Sequence, residues 1–406
     1  MKMRIRLIYK NLRSGETGQH LRTSVQERQI YRKKLNDIGV TNNNSPNKHE
    51  MIKPLPKLVS SKFSLICKNC SSQYPLVRQV RRLYTLYKKE FCVTPFCSLK
   101  INLPYNVTIV PLDFFKYPNC DRVNISVEAH ENVDCQINCS SQEDVINVNS
   151  SLKENLHLFS CKIEAPVKAD IHASLENGNI DIANFHGNII NLRTRNGNIS
   201  AGTCVCEKIV MASSAGSINC KNMLQAAHIS LSTGEHGNIC TEKLQGLTLI
   251  AKTINGNIST KSTYCDNSSF STEGGNLLLS NTHKNCTVKC TNQGRVRMTG
   301  FDGTLQASIE RGNVNIDVVR IEGNSKITIE KEGMLTLKLT EECVENTIFK
   351  LFCKGVDISP DLNVTVDIKA NHKIMKAGEA KTQAEIECPH SNVVITNLSW
   401  REMFNV

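Results

Sequence analysis

Glycine recurs through the middle of this 406-residue chain at an interval that excludes most ordinary globular folds. Gly-Asn-Ile stands at 178–180, 197–199, 237–239 and 256–258. Variants fill the gaps at Gly216-Ser217-Ile218, Gly275-Asn276-Leu277, Gly294-Arg295-Val296, Gly312-Asn313-Val314 and Gly333-Met334-Leu335. The structural ladder is therefore Gly178, Asn179, Gly197, Asn198, Gly216, Gly237, Asn238, Gly256, Asn257, Gly275, Asn276, Gly294, Gly312, Asn313 and Gly333. Successive glycines lie 19, 19, 21, 19, 19, 19, 18 and 21 residues apart. A period near twenty marks a repeat array.

Each repeat has one internal grammar. After the glycine comes an alternating run, such as Ile180 and Ile182, Leu277 and Leu279, or Val314 and Ile316. That is the period of two of a half-buried strand. Seven residues after the glycine stand Phe185, Cys204, Met223, Leu244, Thr263, Thr282, Phe301 and Val319. A second turn and a returning strand follow, with Leu192 and Thr194 or Phe270 and Thr272. There is no room for a helix inside the array. Such short strands cannot form a core alone, but stacked rungs can. The pattern predicts an all-β fold: a β-solenoid, single-stranded and β-helix-like, with about 19 residues and two short strands per rung, capped at both ends. A sandwich or barrel is the competing architecture. Glycine is expected at tightly turned or positive-φ positions, and the Asn column is expected to hydrogen-bond along the axis.

Charge divides the chain. Residues 1–100 hold 21 Lys/Arg against 5 Asp/Glu, and the remaining 306 hold 28 against 33. The body is mildly acidic, so the overall charge of +11 gives no support to a nucleic-acid-binding domain, and no specific nucleic acid is expected. Residues 1–62 read as a disordered or cleavable basic leader. Its Arg/Lys content suggests organellar targeting, mitochondrial in particular, although Glu16 and Glu27 count against this. A basic tail on a cytoplasmic protein is the alternative. Residues 63–90 form a basic segment. Within 74–91, Val80, Tyr84, Tyr87 and Phe91 recur at helical spacing, with Arg78, Arg81, Arg82, Lys88 and Lys89 beside them. A short amphipathic helix there could pack on the domain, dock on a partner or lie on a membrane surface. Residues 91–160 read as an N-terminal cap with irregular first rungs, 161–340 as regular repeats, and 341–406 as C-terminal rungs and a cap. Trp400 is placed to plug the open core.

Chemistry-bearing motifs are scarce. The 18 cysteines fall mostly at strand-like positions, including Cys220, Cys240 and Cys290, and read as buried thiols. Cys67-x-x-Cys70 has no second pair at zinc spacing. No metal ligand set, catalytic residue or cofactor site is predicted. Carboxylates such as Asp181 and Glu310 belong to distant rungs. Glu235 and His236 occupy the 21-residue step from Gly216 to Gly237 and are the candidate ligand loop. Its structural explanation is a tolerated two-residue insertion. Sequons at Asn106, Asn124, Asn198, Asn257 and Asn363 matter only to a secreted chain.

Three stretches carry a family likeness: 96–104 (FCSLKINLP), 110–113 (VPLD) and 117–123 (YPNCDRV). Together with the rungs from 161 to 340 and Trp400, they resemble an adhesin-like domain family of unknown function. The resemblance covers roughly 91–406 and implies a β-solenoid scaffold and a mitochondrial association. It implies no catalytic residues. The expected function is therefore a non-enzymatic interaction or scaffold protein, binding an unknown protein or polymer on a solenoid face. A polysaccharide-active or other hydrolytic enzyme is one alternative. A peripheral membrane-surface protein acting through 74–91 is another.

Overall fold

A computed structural model describes residues 83–399 and 402, apart from 132–133, 153–156, 158, 370–371 and 378–379. The basic leader, Arg78, Arg81, Arg82 and Trp400 lie outside the described residues. The rest is almost entirely β, in one continuous hydrogen-bonded sheet.

The repeats stack in parallel. Ile180, Ile199, Ile218, Ile239, Ile258, Leu277 and Val296 pair rung upon rung and form one buried column. A second column runs Ile171, Ile190, Ile209, Ile229, Leu249, Ser268, Cys286 and Leu305. A third, between them, runs Phe185, Cys204, Leu224, Leu244, Thr263 and Thr282. Three inward-facing stretches per rung thus close the core where the sequence pattern suggested two. Each buried Ile or Leu contributes about 2 kcal/mol by leaving water, and its column neighbour sits one rung away, about 4.8 Å. Met223 was expected in the third column. A register shift between Cys220 and Met223 moves Leu224 into that place.

Glycine is required here by proximity. A Cβ on Gly197, Gly216, Gly237, Gly256 or Gly275 would strike the carbonyl oxygen of the glycine one rung before it, inside hard contact. Of the nine ladder glycines only Gly178 (φ +120°) and Gly312 (φ +136°) have positive φ. The expected conformational reason therefore holds at two positions, and close approach of stacked turns explains the column. The positive-φ Asn residues lie elsewhere, at Asn184 (φ 64°) and Asn281 (φ 46°). The ladder Asn side chains do a different task. Asn179 Oδ1 accepts from Asn198 N (2.8 Å), Asn198 Oδ1 from Ser217 N (2.8 Å), and Ser217 Oγ from Asn238 N (3.1 Å). Asn238 and Asn257 continue the line to Asn257 N (2.8 Å) and Asn276 N (2.9 Å). The line begins one rung earlier, where Asn106 accepts from Asn179 N (2.8 Å).

Both ends depart from sequence order. The strands Ser98–Leu103 and Asn106–Pro111 form a rung that lies between two later ones. On one side they pair in parallel with Asp170–Asn177 and Ile180–Ile182, and on the other with Val145–Ser150 and Phe159–Ala165. At the far end, Thr382–Asn397 slots in parallel between the strands Ser325–Ile329 and Gly333–Leu339 and the earlier strand Thr347–Ile358. Antiparallel strands cover what lies beyond: Arg122–Ala129 on Phe159–Ala165, and His372–Lys376 on Thr347–Ile358. A six-residue helix, Glu341–Asn346, makes the passage to the last rungs, with Thr340 Oγ1 accepting from Cys343 N.

The helix expected over 74–91 is corrected where the chain is described. Tyr84–Cys92 is a strand, antiparallel to Arg122–Ala129, with a bulge between Thr85 and Tyr87. The free edge of that neighbour satisfies the backbone, and its aromatic and Thr residues suit a half-buried strand. Lys88 and Lys89 are exposed on it, and Lys89 Nζ donates to the Cys139 carbonyl (3.1 Å).

Gly256→Val should abolish the stacked state or lower its stability by more than about 3 kcal/mol, because two rungs must separate. Asn238→Ala, which frees one backbone N–H, should cost about 1 kcal/mol. Denaturant midpoints measured on both variants test the two roles, and near-native stability in Gly256→Val would contradict the close packing of the turns.

Candidate functional site

On the outside of the solenoid the same period that builds the core aligns surface side chains. Eight residues after successive landmark glycines stand Gln245, Tyr264, His283, Asp302 and Arg320. The first four are direct pairing neighbours or their bridged continuation. The Tyr264 and His283 rings stack with centroids 4.8 Å apart and planes 14° apart. Lys243 Nζ lies over the Tyr264 ring at 5.5 Å from the centroid. His283 Nδ1 lies 3.4 Å from Asp302 Oδ2. Arg320 holds the Asp302 carboxylate through Nε (2.9 Å) and Nη2 (3.2 Å). These contacts are partly exposed, so each contributes at most about 1 kcal/mol. Their effect is positional: side chains of five rungs are fixed relative to one another.

His283 and Asp302 of this column line a groove of about 830 Å³. Ser259, Leu278 and Arg297 line it as one column of outward residues from three paired strands. Lys261, Ser280, Asn281 and Thr299 add polar groups from the bend. Thr299 Oγ1 donates to Ser280 Oγ (3.0 Å), and Asn281 Nδ2 donates to the Lys261 carbonyl (3.3 Å). Asp317, Leu398 and Glu402 close one end. Glu402 is held by Lys338 (2.6 Å) and by Ser399 N (3.2 Å) and Oγ (3.0 Å). Those contacts, with Lys338 first among them, pull its carboxyl down to about 2. Burial pushes the half-buried Asp317 carboxyl above the usual carboxylate range, against the pull of Lys338 and Arg297.

Glu235 and His236 are both exposed. The expected two-residue loop is corrected. One extra residue is absorbed near Lys221–Asn222, where pairing shifts from Cys220–Thr241 to Met223–Lys243. Only the second falls in the 234–236 turn, since Ser213 pairs with Thr233 while the glycines step from 216 to 237. His236 does line a groove of about 810 Å³ that follows the turn column past Asn255, Asn276, Arg295 and Asn313. Glu235 is not among its lining residues, and neither residue reaches the Tyr264–Arg320 column. Asn276, whose Oδ1 accepts from Arg295 N (3.2 Å), therefore has a surface as well as a structural place, and Asn313 has a surface one.

The sequence pattern missed Asn106, which appeared only as a sequon, and the hydroxyls three residues before the glycines. Thr194 Oγ1 donates to the Gly178 carbonyl (2.9 Å), Ser213 Oγ to Gly197 (2.7 Å), and Thr253 Oγ1 to Gly237 (3.0 Å). Their fixed offset from glycine was the available signal. The thiols of Cys220 and Cys290 are buried, and burial raises both. Cys204 is pushed up to about 11 and Cys286 to about 12, which leaves little thiolate for reaction. Cys240 is corrected: alternation after the buried Ile239 puts it outside. Among the described residues there is no cluster of His, Cys, Asp or Glu suited to a metal ion, and no helix long and apolar enough to cross a membrane.

Residues 225–396 match the family model described as Toastrack DUF4097. The rungs preceding the match share its register and the same Asn line, so position 225 is no structural boundary. Solved structures with some likeness include a candidate adhesin from Parabacteroides merdae ATCC 43184, at 13% identity, 77% coverage of this chain, 96% of that one and TM-score 0.30. A candidate adhesin from Bacteroides fragilis NCTC 9343 gives 11%, 78%, 98% and 0.27. A candidate cell adhesion protein from Clostridium sporogenes ATCC 15579 gives 11%, 77%, 99% and 0.15.

Asp317 generates a pH prediction. Its folded carboxyl titrates above the unfolded one, so the folded state holds the extra proton in the window just above the ordinary carboxylate range. Stability from this group is present below that window and falls as pH rises through it. Asp317→Asn should flatten that part of the stability–pH curve relative to the parent. Parallel denaturation series from mildly acidic to neutral pH measure it, and superimposable slopes would remove Asp317 as the cause.

Proposed function

We propose that this chain is a non-enzymatic binding scaffold whose stacked rungs present an extended, rigid face to a protein or polymer. The observation that carries the reading is the outward register: Tyr264, His283, Asp302 and Arg320 are locked across successive rungs beside a long groove. A repetitive ligand meets side chains at a constant step on such a frame, with little ordering cost left to bear. The match of residues 225–396 to Toastrack DUF4097 agrees with a binding role and names no ligand. The basic leader, residues 1–62 with 14 Lys/Arg against 4 Asp/Glu, supports a mitochondrial address as part of the proposal.

Proximity labelling in cells, with the native N-terminus intact, tests compartment and scaffold role together. Three charge-reversed forms should be compared with the parent: Lys261→Glu with Arg297→Glu in the groove, Arg295→Glu on the turn column, and Lys289→Glu on the remaining face. At least one should lose a defined set of labelled neighbours while keeping its melting temperature. An identical set from all three would defeat the scaffold reading, and label confined to the cytoplasm would defeat the mitochondrial one.

A further inference from the structure

The groove between Ser259 and Glu402 has a lining that selects among ligand classes. Its cations and carboxylates balance. Lys261 is paired with Glu242 (2.8 Å), Asp302 with Arg320 (2.9 Å) and Glu402 with Lys338 (2.6 Å). Arg297 is exposed and lines the groove with Asp317, whose ionisation it favours. A strongly charged polymer therefore meets no net opposite charge along this face. A peptide adding itself as a strand meets no free edge either, because Leu278 is already paired with both Ser259 and Arg297. What the surface does offer is a dense set of neutral donors and acceptors, Ser259, Ser280, Asn281 and Thr299, around the 43% exposed Leu278.

That combination is the chemistry of a saccharide: many hydroxyls that both donate and accept, and a ring with one apolar face. Arg297 and Asp317 suit a vicinal diol, the first as a paired donor and the second, when ionised, as a paired acceptor. The long axis of the groove crosses the rungs, so its polar groups repeat at the rung spacing of about 4.8 Å. An extended, equatorially linked pyranose chain advances by a similar step per sugar, with successive rings turned over. We propose that this groove binds a neutral, extended β-linked glycan, laid along the solenoid axis with Leu278 beneath a sugar ring and Lys261 and Arg297 at its hydroxyls. The proposal rests on the scaffold reading and gives it a ligand class.

The test titrates the full chain with a soluble cello-oligosaccharide, followed by calorimetry and by ligand-observed NMR. Oligogalacturonate, of similar extension and negative charge, and an extended Ser/Thr-rich peptide serve as comparators. Saturable binding of the cello-oligosaccharide, weakened roughly tenfold or more by Arg297→Ala with an unchanged melting curve, is the expected result; tenfold corresponds to about 1.4 kcal/mol. Leu278→Ser should weaken binding in the same direction and guards against an effect peculiar to the arginine. No saturable binding, equal binding by both variants, or preference for the oligogalacturonate or the peptide overturns the proposal. A blank titration combined with labelling that still depends on one face would sink the glycan alone. Labelling insensitive to every face would sink the scaffold reading itself.

Discussion

Everything in this molecule depends on how closely one turn approaches the next. At the ladder glycines the backbone of each rung lies against the preceding glycine carbonyl, at a distance no Cβ permits. The neighbouring Asn side chain then takes the backbone N–H of the following rung, at 2.8 Å in most steps. The first contact sets the spacing and the second sets the rotation. Together they leave a rung no freedom to slip by one residue, which would send every Ile and Leu of the core into solvent. The surface inherits that precision, and the Tyr264–His283 stack exists because positions in adjacent rungs have nowhere else to go.

Much of this was legible in the chain. The parallel β-array, its step and the inward alternation follow from glycine spacing and from pairs such as Ile180 and Ile182. The Asn line was expected, though the atoms involved were not. The surface column was equally periodic, eight residues past each glycine, but its members differ in kind. Gln, Tyr, His, Asp and Arg share no apolar signature for a pattern search to detect, and only pairing across rungs makes them one feature. The strand at Tyr84–Cys92 misled for the opposite reason. Tyr84, Tyr87 and Phe91 fit a helical period well, but a waiting strand edge outweighed local preference. The interleaved ends left no trace, since Ser98 pairs with Asp170 and a single long-range pairing has no period.

The irregular step at Gly216–Gly237 shows how an array absorbs insertions. Two extra residues do not make one loop. They are spread over a bulge at Lys221–Asn222 and a turn at Gly234–His236, so the Leu224 and Ile239 columns stay in register. The larger functional candidate spans a rung that shifts as well: Thr263 pairs with Thr282 nineteen residues on, but Asn267 pairs with Asn285 eighteen residues on. The surface column survives because each shift is confined to a few residues, so that Tyr264 still stacks on His283 and His283 still pairs with Asp302.

The interleaving at both ends has a mechanical consequence. An ordinary solenoid unravels like knitting, from the last rung inward, because the outermost turn has only one neighbour. Here the rung nearest the N-terminal side, Ser98–Pro111, is clamped between two others, and so is Thr382–Asn397 at the opposite side. Tension applied along the chain must therefore extract a strand hydrogen-bonded on both flanks before any rung comes free. The two seams tie each end rung to neighbours on both sides and leave fraying to the strands outside them, such as Tyr84–Cys92, which among the described residues is paired on one side only. They also delay completion: the gap beside Gly333–Leu339 stays unfilled until the chain has passed through the Thr347–Ile358 strand and the His372–Lys376 hairpin and returned.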